Sequence, residues 1–114
     1  MLYIRGMGER FLGELELFVL GAVQRLGDDA YGASIRREIA ARTGRDVAIG
    51  SLYATLGNLH DKGFVAFEVS DPTPVQGGRA RRMVRLTASG RVALSDSLRA
   101  IQRLSRGLVL GTDR

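Results

Sequence analysis

Between Phe11 and Leu26 the apolar residues Leu12, Leu15, Phe18, Val19, Ala22, Val23 and Leu26 recur at three- and four-residue steps, the spacing of one buried helical face. Gly27-Asp28-Asp29 ends this first predicted helix, because a left-handed-tolerant residue followed by two turn formers reverses the chain. A second helix is predicted from about Ala30 to Arg42, with Ile35 and Ile39 inward, Ala40 in support, and Arg36, Arg37, Glu38 and Arg42 toward solvent. Thr43-Gly44-Arg45-Asp46 stops it with a glycine where a helix end calls for one. A tight turn through Val47-Ala48-Ile49 leads into a third helix, whose Ile49, Leu52, Leu56 and Leu59 share one face. Ser51 is its N-cap candidate and Lys62-Gly63 closes it.

After Gly63 the period changes from helical to alternating, with Val65, Phe67 and Val69 on one side of a predicted strand and Ala66, Glu68 and Ser70 on the other. Asp71-Pro72-Thr73-Pro74 and Gly77-Gly78 read as loop, and Met83-Val84-Arg85-Leu86-Thr87 as the returning strand of a hairpin. Thr87 can cap a last helix carrying Val92, Leu94, Leu98, Ile101, Leu104 and Leu108 as an apolar stripe. The order helix, helix, helix, strand, strand, helix predicts a mainly α winged helix-turn-helix (α-α-α-β-β-α) with a small β-hairpin. Residues 1–10 read as a weakly ordered extension, 11–87 as the winged-helix domain and 88–114 as a dimerisation helix.

Composition narrows the function. The 114 residues suffice for one domain. Seventeen basic residues against twelve acidic ones give a net charge of +5, and Lys62 is the only lysine. A surface this rich in arginine favours a polyanion, since the planar guanidinium donates two parallel hydrogen bonds to phosphate or guanine. With no cysteine, disulfides, thiolate nucleophiles and cysteine-based metal sites are excluded. His60, the single histidine, has neither a cysteine nor paired carboxylates to make a metal or acid–base site, so it is read as packing or solvated. No cofactor or metal is expected. The segment between Arg5 and Arg10 is not an apolar signal core, and the apolar runs are too short for a bilayer, so the expected location is cytoplasmic.

Five short stretches, in this order and spacing, resemble the PadR-like family of transcriptional regulators. They are Asp28-Asp29-Ala30-Tyr31-Gly32, Ile49-Gly50-Ser51-Leu52-Tyr53-Ala54-Thr55-Leu56, Lys62-Gly63-Phe64-Val65, Gly77-Gly78-Arg79-Ala80-Arg81-Arg82 and Leu86-Thr87-Ala88-Ser89-Gly90. The resemblance covers roughly Glu14 to Leu94. It implies a DNA-binding winged helix that dimerises through its terminal helices and represses transcription. The short carboxy-terminal part is similar to the compact branch, which ends in a single helix. Gly57 and Asn58 stand where the family commonly has a charged pair, and His60 where an acid is usual, so the target sequence is not carried over.

With Leu52, Leu56 and Leu59 inward, the helical period places Gly50, Ser51, Ala54, Asn58 and Asp61 outward and Thr55 and Gly57 at the margins. Small residues such as Gly50 and Ala54 allow close approach to a major groove, and Asn58 is of the type that pairs bidentately with adenine. Ser51, Tyr53 and Thr55 are placed for phosphates. Tyr31 fits a helix start, with phosphate contact as its second role. Arg79, Arg81, Arg82 and Arg85 follow one another in the wing with no acid among them. Of these, Arg79 and Arg81 are assigned to phosphate or minor groove, and Arg82 and Arg85 to the strand surface.

The leucine stripe of the last helix is wider than a three-helix core needs, so Leu15, Phe18, Leu94, Leu98, Ile101, Leu104 and Leu108 are candidates for a homodimer interface. Two-fold symmetry would then require a palindromic operator. The resemblance also implies a small aromatic effector, for which Phe11 and Phe18 are the best-placed rings. The alternative reading is a winged-helix module that binds protein and no nucleic acid, and an enzyme is the weakest.

Overall fold

Helix α1 (Glu14–Leu26) is the centre of the molecule, packed by α2 (Gly32–Thr43), α3 (Ile49–Asp61), the strand β2 (Arg82–Leu86) and α4 (Ala88–Ser105). The computed structural model describes residues 12–69 and 81–108. Because α1 is covered on several sides, its buried arc is wider than the single stripe expected from periodicity. Leu20, which the stripe omitted, is fully buried beside Val19, Ala22 and Val23, while Leu12, Leu15, Phe18 and Leu26 are half-buried. Ile35, Ile39, Leu52, Leu56, Leu59, Phe64, Val65, Val84 and Leu94 complete the core. Burial of such side chains stabilises a fold by about 1.5–3 kcal/mol each before chain entropy is subtracted.

The order of elements is the α-α-α-β-β-α expected from the sequence. A 3-10 turn at Gly27–Asp29 reverses the chain after α1. Helix α2 begins two residues later than expected, because Ala30 is extended and fully buried and gives its carbonyl oxygen to Val84 N–H at 2.9 Å. Tyr31 then forms an isolated antiparallel bridge to Met83. Ser34 is the buried polar residue that holds this junction: its hydroxyl donates to Asp29 O (2.5 Å) and accepts from Tyr31 N–H (2.9 Å). Ala40, expected to support the inward face of α2, is exposed. Gly44 ends the helix in the left-handed region (φ 78°), its N–H on Ala40 O.

Two expectations for α3 change. Its cap is the extended Ala48 and not Ser51, which is the third residue of the helix, and Ile49 in the first turn is half exposed. Gly63 at φ 80° lets the chain leave α3 and enter β1 (Val65–Val69), with Phe64 N–H returning to Leu59 O. β1 pairs antiparallel with β2 in the register Val65↔Leu86, Phe67↔Val84, Val69↔Arg82. Along the alternating face Val65 is buried, Phe67 is half-buried and Val69 is exposed, because the hairpin runs outward from the helical body.

Thr87 caps α4 as expected, its Oγ1 accepting from Gly90 N–H at 3.0 Å and donating to Gly63 O at 2.6 Å. The first turns of α4 pack on the core through Gly90, Ala93, Leu94 and Ser97, and Ser97 Oγ accepts from Leu12 N–H. Gly90 lies so close to the α3–β1 corner that a β-carbon there would sit 3.0 Å from the Phe64 carbonyl carbon and closer still to its oxygen. Backbone cannot yield as a side chain would, so Gly90→Ala is expected to lower stability by about 1–3 kcal/mol. Gly57→Ala, where an added β-carbon meets nothing within 4 Å, is expected to raise it by about 0.5–1 kcal/mol. Urea midpoints at unchanged slope check both.

Candidate nucleic-acid interface

The exposed side of α3 carries Gly50, Ser51, Tyr53, Ala54 and Asn58, as the helical period requires with Leu52, Leu56 and Leu59 buried. Thr55 departs from its expected place. It is only 8% exposed, so little of its side chain is open to a phosphate. Gly57 is half-buried and Asn58 is open to solvent.

Tyr53 leans from α3 onto the start of α2. Its hydroxyl lies so near Gly32 that a β-carbon on that glycine would be 2.5 Å away. Tyr31 precedes Gly32, and its phenol oxygen accepts from Arg37 Nη2 at 3.1 Å. From the wing, the Arg81 guanidinium carbon stands 4.4 Å from the Tyr31 ring centroid, and that of Arg82 stands 4.1 Å from the Phe67 ring. Tyr31, Gly32, Ala33 and Tyr53 thereby face Arg81 and Arg82 across a hollow of about 250 Å³ floored by Leu56 and Val84. No carboxylate lines it among the described residues.

The other basic residues are disposed differently. Arg85, expected to stand among arginines without an acid, hydrogen-bonds Glu68 on the neighbouring strand at 2.9 Å. That bond and the attached negative charge raise its pKa further, and its charge is locally balanced. Arg36 bonds Val47 O and Asp46, Arg42 pairs with Glu38, Arg45 with Glu14, and Lys62 with Glu16 at 2.6 Å. Arg37 and Arg82 form no ion pair among the described residues. Arg79 lies outside the described residues, as do Gly77, Gly78 and Phe11.

Sequence reasoning missed Gly32, Arg37 and Phe67 as parts of this arrangement. Gly32 and Phe67 have their partners on other elements, so no local spacing announces them, and Arg37 reaches the Tyr31 hydroxyl six positions earlier, outside the three- and four-residue helical steps. His60, read as packing or solvated, packs: its ring is stacked on Phe67 with centroids 4.7 Å apart and planes 6° from parallel. Such a pair contributes about 0.5–1.5 kcal/mol.

The residues expected at a dimer interface divide. Leu94 is buried in its own core, and Leu15 and Phe18 are half-buried on α1. Leu98 (51% exposed), Ile101 (49%) and Leu104 (78%) stand open on α4, and Leu108 follows beyond the helix end at Ser105. Phe18 also lines an apolar groove of about 220 Å³ with Leu17, Gly21, Ala22, Ile39, Leu94 and Leu98.

Three helices, a hairpin and a capped fourth helix, with an exposed third helix beside an arginine-bearing wing, define a winged-helix DNA-binding fold. The profile of the Transcriptional regulator PadR-like family matches residues 19–96, and the chain belongs to that family of transcriptional regulators. It is similar to Transcriptional regulator Rv3488 of Mycobacterium tuberculosis, 37% identical over 84 residues that make up 74% of each chain. Its fold is similar to that of a PadR family transcription regulator from Clostridium difficile (TM-score 0.66, 20% identity, 82% of this chain and 95% of that one). A second structure of like fold is F93 from STIV, a winged-helix DNA-binding protein (TM-score 0.69, 17% identity, 87% and 99%). No helix among the described residues is long and apolar enough to cross a membrane.

Proposed function

We propose that the chain is a homodimeric, sequence-specific repressor acting on duplex DNA in the cytoplasm. The observation that carries this reading is the convergence of Tyr31, Tyr53, Arg81 and Arg82 on one hollow beside the exposed face of α3, with no carboxylate in its lining among the described residues. Helix α3 enters the major groove, where Gly50 and Ala54 permit close approach and Asn58 meets a base edge. Ser51, Tyr53 and Tyr31 donate to phosphate, and Arg79, Arg81 and Arg82 engage backbone or minor groove. Thr55, buried, takes no part.

The exposed Leu98, Ile101 and Leu104 support a dimer built on α4, with Leu15, Phe18 and Leu108 beside them. Its two α3 helices would fall about 34 Å apart, one DNA turn, and require a palindromic operator. Bound across a promoter, such a dimer represses by occupying it. Relief by a small apolar effector is the part of this reading that the groove at Phe18 supports.

Fluorescence anisotropy with labelled duplexes tests the whole. Arg79→Ala together with Arg81→Ala is expected to weaken binding about equally on all sequences and to reduce the salt slope by about one per lost phosphate contact. An unchanged slope removes the wing from the interface. Asn58→Ala is expected to lose about 1–3 kcal/mol on the operator and far less on random DNA. Equal losses on both duplexes exclude base readout by Asn58. In light scattering the wild type is expected at twice the chain mass, and Leu98→Asp with Ile101→Asp at the monomer mass, since neither side chain belongs to the protomer's core. A wild type that scatters as a monomer at micromolar concentration defeats the dimer.

A further inference from the structure

Of the three described arginines of the wing, Arg85 pairs with Glu68, and Arg81 and Arg82 each lie over an aromatic ring that belongs to, or is fixed on, the helical body. Arg81 is over Tyr31 at 4.4 Å and Arg82 over Phe67 at 4.1 Å, both inside the roughly 6 Å within which a ring face attracts a cation. Neither ring is itself loose. Tyr31 is held on three sides: its N–H donates to Ser34 Oγ, its backbone bridges to Met83, and its phenol oxygen accepts from Arg37. Phe67 is clasped to α3 by the parallel stack with His60.

An arginine side chain on a hairpin has several rotatable bonds, and a phosphate contact must fix them all. A ring beneath the guanidinium fixes them in advance. Stacking occupies the face of the guanidinium and not its in-plane N–H groups, so the donors suited to a phosphate stay at the edge. From this geometry we infer that Tyr31 is a positioning residue, which holds Arg81 ready beside α3 and so contributes to DNA affinity through Arg81 as well as through its own hydroxyl. The inference rests on the DNA-binding reading above and gives Tyr31 a role that contact with phosphate alone does not require. Phe67 stands in the same relation to Arg82.

The test separates ring from hydroxyl and seating from binding. Tyr31→Phe keeps the ring and loses the oxygen, whereas Tyr31→Leu loses the ring. On a random duplex at low salt, Tyr31→Leu is expected to bind about two- to fivefold more weakly than Tyr31→Phe, the range of an exposed cation–π contact. In an Arg81→Ala background the difference between Leu and Phe is expected to vanish, because the ring acts through that arginine. An undiminished difference in that background overturns the inference, as does a Tyr31→Phe protein that binds no better than Tyr31→Leu.

A second readout needs no DNA. The Nε–H resonance of Arg81 in the free protein is expected to be shifted by the ring current away from the position of Arg99 and Arg103 in the wild type and in Tyr31→Phe, and to lose that ring-current shift in Tyr31→Leu. Should Tyr31→Leu not fold, the first two proteins decide: an Arg81 resonance already at the position of those exposed arginines overturns the seating. A wild type with the shifted resonance that binds no duplex overturns the DNA reading and this role of Tyr31 together. Loss of the coupling alone overturns only the role.

Discussion

Val84 N–H donates to the Ala30 carbonyl across 2.9 Å, and this bond between the returning strand and the segment ahead of α2 sets the angle at which the hairpin leaves the helices. Both groups are buried, so neither has water as a substitute partner, and an unmade bond there would leave two desolvated dipoles at a cost of about 1–3 kcal/mol each. Everything that the wing does follows from this anchorage. It brings Met83 beside Tyr31 and puts Arg81 and Arg82 opposite the start of α2. At the other end Thr87 clamps the same strand to Gly63 while capping α4, so the hairpin is held at its base by two elements.

The parts of this architecture that a sequence reveals are those with local causes. Thr87 caps the helix it precedes, Gly44 stops the one it follows, and the alternation from Val65 onward marks a strand, because each depends on neighbours a few positions away. Burial depends on what covers an element from outside, and here the pattern misled in both directions. Leu20 is buried and Ala40 is exposed because α1 is wrapped by neighbours while α2 lies against the body on one side. Thr55 shows the same effect at the interface: a residue that the helical period leaves at the margin of the exposed face is buried once the chain is folded.

The candidate site divides in the same way. Gly50, Ser51, Ala54 and Asn58 could be named from period alone, since their exposure follows from three leucines on the same helix. The pairing of Tyr31 with Arg81 joins positions fifty residues apart in the chain, and that of His60 with Phe67 crosses from helix to strand. Such contacts carry no spacing signature. Composition could say that the chain is rich in guanidinium groups, but only the fold says which of them are occupied with acids. Arg85 reaches Glu68 on the neighbouring strand, whereas Arg82 in the same strand rests on a ring.

The acids of α1 take part in a wider sorting of charge. Glu14 meets Arg45 in the turn between α2 and α3, and Glu16 meets Lys62 at the end of α3. As stability these exposed pairs contribute little, about 0–1 kcal/mol each. As a distribution they matter more, because the Glu16–Lys62 pair cancels positive charge at the carboxy-terminal end of α3, whereas Arg82, beside the hollow at Tyr53, meets no acid among the described residues. A molecule so arranged has an electric moment as well as a net charge. In the field of a polyanion it turns as it approaches, and the fraction of collisions that begin in a usable orientation rises before any side chain has touched its target.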